Sequence, residues 1–170
     1  LQAHARQIAL TGSTTEGLAM IYGGVHVRPD QEILTTEHEH YATHTILALR
    51  SERDGTRVRK IRLFKDSYSA SKAEILAAID GAIRPETRVL GMCWVHSGSG
   101  MKLPIGEIGA IVDRHNRGRS DADRIVYVVD GVHGFGVDNL NFAQMNCDFF
   151  IAGTHKWMFG PRGTGLVCAR

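Results

Sequence analysis

The sequence predicts an α/β fold with a mainly parallel sheet. Two observations carry this: short apolar runs alternate with segments of helical period along the whole chain, and the strongest run, Ile125-Val126-Tyr127-Val128-Val129, is β-rich and unbroken. Strands covered on both faces by helices read in that way. A third observation is size. At 170 residues the chain is long enough for one domain with a sizeable core.

The elements follow in order. Ile8-Ala9-Leu10 is a short extended run that ends in Thr11-Gly12-Ser13, and Thr14 to Met20 starts a helix, with Ser13 as a favoured cap and Glu16 in the first turn. Glu32 to Thr36 is a second strand and Tyr41 to Arg50 a second helix. Arg57 to Phe64 reads as a strand with Ile61 and Leu63 pointing inward. Ile75, Ile79 and Ile83 recur every fourth residue, the apolar stripe of a helix. Val89 to Val95 is a strand too short for a buried helix. Pro104 suits a first helical turn, with Ile105, Ile108 and Val112 at helical spacing after it. Phe149-Phe150-Ile151 and Leu166-Val167-Cys168 close the series.

In open sheets of this kind ligands bind beyond the carboxyl ends of the strands. The residues placed there are Thr11 to Thr15, Thr36 to His40, His96 to Ser99, Asp130 to His133, and Gly153 to Lys156. Hydroxyls, histidines, one aspartate and one lysine therefore gather on one edge. Lys156 stands between Phe149-Phe150-Ile151 and Trp157-Met158-Phe159; it either snorkels to solvent or is desolvated enough to act as a neutral amine. Asp130 ends the strongest strand, as a turn former or as a fixed negative charge facing a ligand cation. The stretch Thr11 to Glu16 either caps a helix or cradles a phosphate on free N–H groups and hydroxyls. It is not a Walker loop, because the required lysine is missing.

His38, His40 and His44 raise a second possibility, a metal-dependent hydrolase. The H-E-x-x-H zinc motif is excluded, since Ala42 stands where its second histidine belongs. A third is a catalytically silent α/β binding domain that keeps only the fold. The charge balance, 20 Lys plus Arg against 18 Asp plus Glu for a net +2, gives no argument for a nucleic-acid partner. No apolar run approaches the roughly 20 residues that span a bilayer, which gives none for a membrane. Three cysteines, Cys93, Cys147 and Cys168, lie in apolar segments and suit reduced thiols of a cytoplasmic protein.

The motifs together resemble a known family. Thr11-Gly12-Ser13-Thr14-Thr15-Glu16-Gly17, Thr36-Glu37-His38, Trp94 to Gly100 with Leu103-Pro104-Ile105, Val129 to Gly134, Gly153-Thr154-His155-Lys156-Trp157 and Gly160 to Gly165 occur in the order found in class V aminotransferases of pyridoxal-phosphate fold type I. Isopenicillin N epimerase-like enzymes are the most similar branch and cysteine desulfurases more distant relatives. The resemblance covers essentially the whole chain.

It implies a three-layer α/β/α large domain that binds pyridoxal 5′-phosphate (PLP) and acts at Cα or Cβ of an amino-acid substrate, as epimerase, aminotransferase or C–S lyase. Lys156 would form the Schiff base and shuttle the Cα proton. Asp130 would pair with the pyridinium nitrogen, His133 would touch the ring oxygen, and His38 would stack on the ring. Ser13, Thr14 and Thr15 would hold the phosphate, with His155 assisting and Ser97 approaching ring or substrate. Two departures set this chain apart from the desulfurases. Gly153 stands where they carry a phosphate-binding serine, and the asparagine they place near the cofactor is replaced around His96-Ser97. Residues 1–170 are expected to be a fragment, lacking an N-terminal segment and the C-terminal small domain, and inactive alone. The full-length enzyme is expected to be a homodimer.

Overall fold

The computed structural model describes residues 1–170. Seven strands form one sheet: β1 (Ile8–Thr11), β2 (Glu32–Thr36), β3 (Arg57–Ile61), β4 (Thr87–Cys93), β5 (Val126–Asp130), β6 (Phe149–Gly153) and β7 (Gly165–Ala169). Five helices connect them: α1 (Thr14–Gly24), α2 (Tyr41–Asp54), α3 (Lys72–Ala82), α4 (Ile105–Asn116) and the single-turn α5 (Phe142–Met145). Strand order is β1-β7-β6-β5-β4-β2-β3. Pairings from β3 through β2, β4 and β5 to β6 are parallel, whereas β7 runs antiparallel to both β6 and β1. Six strands thus point the same way, and their carboxyl ends share one edge.

Alternation along the strands divides the core between the two faces. Tyr127 and Val129 of β5 pack with α3, α4 and α5 through Ile79, Ile108 and Met145. Their neighbours Val126 and Val128 face α1 and α2 through Leu18, Tyr22 and Leu47. The result is three layers, helices over both faces of a mixed sheet. Where β3 was expected to run to Phe64 it ends at Ile61, yet Leu63 and Phe64 are buried in the core.

Local chemistry sets the helix starts. Ser13 caps α1 by accepting from the Glu16 N–H at 3.0 Å. Ser71 and Glu74 form a reciprocal capping box on α3. Gly55 ends α2 at φ 72°, a left-handed conformation that favours glycine. Three tight approaches need glycine for another reason: a Cβ at Gly131 would sit 1.9 Å from the Phe150 ring, one at Gly134 2.1 Å from Trp94, and one at Gly17 2.7 Å from Ile151. The first two follow Asp130 directly, so the chain turns sharply under the core at the strand end that carries the carboxylate.

Candidate active site

A cavity of about 260 Å³ opens at the carboxyl edge of the sheet. Ser13, Thr14 and Thr15 line one end, Asp130, Val132 and His133 the floor, and His155 and Lys156 the side, with Cys93, Val95, Ser97 and His40 completing it. Topology explains the gathering. Strands β5 and β6 are neighbours, so Asp130 and the turn that carries Lys156 leave the sheet side by side. Register Cys93↔Asp130 places the thiol next to the carboxylate. The antiparallel return of β7 between β6 and β1 lays the start of α1 against the end of β6.

Asp130 is buried and accepts one hydrogen bond, from the Val132 N–H to Oδ1 at 3.1 Å. Burial pushes its carboxyl up to about 6, with the Val132 bond and the charge of Lys156 opposing. Lys156 is half-buried, and desolvation lowers its pKa against the pull of Asp130. Its Nζ lies 2.8 Å from His133 Nε2. The Trp157 indole N–H donates to His133 Nδ1 at 3.3 Å. With Nδ1 accepting, the neutral imidazole carries its proton on Nε2 and donates it to the lysine nitrogen. Both contacts are therefore hydrogen bonds only when Lys156 is a neutral amine. Desolvation also lowers the pKa of His133, with Lys156 and His40 contributing.

The phosphate-sized end of the cavity has its own chemistry. Thr14 Oγ1 is buried and has no hydrogen-bond partner. A Cβ at Gly153 would lie 3.0 Å from both Thr14 Oγ1 and His155 Nδ1. The missing side chain thus leaves a hollow lined by a hydroxyl and an imidazole, beside first-turn N–H groups of α1 that have no acceptor within the helix. An orphaned buried donor, a helix N-terminus and space that a Cβ would fill suit an oxyanion ligand. Glu16 answers the same field, since its Oε2 accepts from the Gly12 N–H at 2.5 Å.

Eight of the nine expected residues line this cavity, and His38 does not. Its ring stacks on Phe64 with centroids 4.2 Å apart, and its Nε2 accepts the Leu63 N–H at 3.2 Å. It lines a neighbouring depression with Lys65, Ser67 and His96. His40 stands in the cavity instead, at the cap of α2, where Nδ1 accepts the Ala42 N–H at 3.3 Å. The sequence offers Glu-His twice, at 37–38 and 39–40. The first pair is drawn away toward the end of β3, where Glu37 meets Arg62 at 2.8 Å. Sequence reasoning assigns no site role to Cys93, which lies inside the strand expected over Val89 to Val95, or to Glu39, which falls in the strand-end stretch Thr36 to His40.

The metal alternative loses its ligands in three dimensions. His38 is committed to Phe64 and Leu63, His40 to the helix cap, and neither joins His44 in a group able to share one ion. Glu39, Cys93 and His96 do place donor atoms within 4.8 Å of one another.

A family model described as aminotransferase class-V matches residues 1–170. The chain belongs to the class-V aminotransferase family. Among characterised relatives it is 29% identical over 161 residues to isopenicillin N epimerase of Streptomyces clavuligerus, covering 95% of this chain and 38% of that protein. It is likewise 29% identical over 174 residues to the mitochondrial cysteine desulfurase of Eremothecium gossypii, covering 100% of this chain and 32% of that one. A solved C-DES variant with glycine covalently linked to its PLP cofactor superposes with a TM-score of 0.84 at 25% identity, over 96% of this chain and 41% of that one. C-DES as a cystine C–S lyase, in complex with its product cysteine persulfide, gives 0.80 at 25% identity over the same shares. The chain spans about two-fifths or less of the length of these class-V proteins. The family uses PLP, and the mixed seven-stranded sheet with helices on both faces is the fold these relatives share.

Proposed function

We propose that residues 1–170 are the cofactor-binding large domain of a PLP-dependent enzyme that acts at Cα or Cβ of an amino acid, as an epimerase, an aminotransferase or a C–S lyase. One observation carries the reading: a desolvated lysine and a buried aspartate stand on adjoining strand ends across one small cavity. Bound PLP supplies an aldehyde and a ring that withdraws electrons when its nitrogen is protonated. Lys156 Nζ, whose pKa burial lowers and which lies beside His133, would be the nucleophile for that aldehyde and the group that would hold or move a proton at the substrate Cα. Asp130 holds the proton on the ring nitrogen, since a carboxylate in this dry floor gains most from a cation in front of it. Thr14 Oγ1, the first-turn N–H groups at Ser13 to Thr15 and His155 Nδ1 bind the phosphate. His40, which lines the cavity, would take the ring-facing role the sequence suggested for His38, and Ser97 would border the substrate side.

The reading extends to a homodimer and to the cytoplasm, with an amino acid as the small-molecule partner and neither nucleic acid nor membrane. Its support is the balanced charge and three buried, unbridged cysteines; gel filtration tests the dimer. For the site itself, the purified protein is mixed with PLP, reduced with borohydride and digested. The expected result is a visible absorption band and one pyridoxyl-modified peptide containing Lys156, both absent in Lys156→Ala. A folded protein that gains no band, or a modified lysine elsewhere, refutes the assignment.

A further inference from the structure

Behind Asp130 lies a second buried acid. Glu39 sits on the loop between β2 and α2, one residue before the cap His40, and is almost wholly buried. Its Oε1 accepts the Thr36 hydroxyl at 2.6 Å, while Oε2 is inaccessible and has no partner. Around the carboxyl stand Cys93 and His96, whose donor atoms lie within 4.8 Å of it and of each other. Tyr22 from α1, and Tyr127 and Asp130 from β5, also feel its charge. None of these groups is a cation: the two tyrosines and the thiol are pushed by burial toward their protonated forms, and His96 is driven down to about 4, hence neutral. The nearest amine, Lys156, acts on Asp130. A carboxyl this deeply buried, met only by neutral donors from Thr36 and Cys93 and with no counter-ion, does not remain ionised beside a second carboxylate.

We propose that Glu39 is a positioning residue that keeps a proton on its buried carboxyl, so that Asp130 is the only anion on the cavity floor. The consequence for the cofactor rests on the PLP reading above; the protonation itself does not. Two buried carboxyls that feel each other's charge share the burden unequally, and the one on the cavity floor, open to a ligand cation, is the one left to ionise. Burial pushes Asp130 up to about 6, and pushes Glu39 up to about 7 with the charge of Asp130 adding to it. A neutral Glu39 leaves the field of Asp130 uncancelled by repulsion within the floor and aimed at the cavity. It also explains why an acid, with no cation to meet, sits under the loop that presents His40.

Infrared spectroscopy of the unloaded protein tests this directly, because a protonated carboxyl has its own carbonyl band. Above about pH 6, exposed acids are ionised and contribute nothing there. Asp130→Asn should keep such a band, titrating above the ordinary glutamate range; Glu39→Gln should lose the component that titrates last. Thr36→Val removes the donor that favours the ionised form, so it should move the Glu39 titration to higher pH. This variant carries the test even if Glu39→Gln folds poorly. A folded parent protein with no carboxyl band above about pH 6, or a last-titrating band that survives in Glu39→Gln, overturns the proposal. So does a titration in Thr36→Val that moves down or stays put. Because no cofactor is needed, these results are independent of whether Lys156 forms its adduct.

Discussion

Asp130→Asn should stabilise the unloaded protein and cripple its hold on PLP. The carboxyl rises from an ordinary 3.8 to about 6 on folding. That gap, at 1.36 kcal/mol per pKa unit, is about 3 kcal/mol. The sign follows from the direction. A carboxyl whose folded pKa is raised binds its proton more tightly in the folded state. Folding is therefore unpenalised below the unfolded value, loses stability as pH rises through the interval up to about 6, and stays lower by the full amount above it. Asparagine has the same shape, never ionises, and still offers its oxygen to the Val132 N–H. Urea melts of the two unloaded proteins should therefore diverge with pH. The variant should be the more stable near pH 8, by up to about 3 kcal/mol, and about half of that advantage should vanish by pH 5. With PLP added the order should reverse, because the pyridinium meets a buried charge only in the parent. Equal stabilities at all pH values, or a variant weaker at pH 8 without cofactor, would refute the claim that Asp130 is a destabilising anion held in place for a ligand.

Four further outcomes follow from the same geometry. Gly153→Ala places a methyl 3.0 Å from Thr14 Oγ1 and His155 Nδ1; it should weaken PLP retention by about tenfold or more, the loss of one hydrogen bond to a charged group, with little change in melting temperature. His40→Asn keeps the α2 cap but removes the ring, and should weaken PLP by about threefold to tenfold, measured by absorbance titration. His38→Ala should leave that affinity alone and instead lower stability by about 1–3 kcal/mol, through lost stacking on Phe64 and an unpaired Leu63 N–H. Gly131→Ala drives a methyl into the Phe150 ring and should cost about 1–3 kcal/mol in a thermal melt, whether or not cofactor is bound.

Much of the site is legible in the sequence because the deciding signals are local. The unbroken run of β5 puts Asp130 at a strand end, and the apolar strand before Gly153 puts Lys156 just past another. Ser13 and Glu16 announce the start of α1 through cap and dipole chemistry that needs no tertiary partner. The choice between the two Glu-His pairs is different. His38 and His40 stand two residues apart on the loop after β2, and nothing within five residues says which will face the cavity. Phe64, Leu63 and Arg62, more than twenty residues away, take the first pair.

By itself, then, the sequence determined the order of strands and helices and the residue types at each strand end, since periodicity, capping and turn chemistry act over a few residues. Only the tertiary structure decided the strand order that returns β7 between β6 and β1, and so brings Thr14 within reach of Gly153 and His155. It alone chose His40 over His38, turned Lys156 toward His133, and buried Glu39 with Cys93 and His96 but without a cation. Pairing across the sheet and desolvation join residues distant in the chain, so no short stretch of sequence carries them.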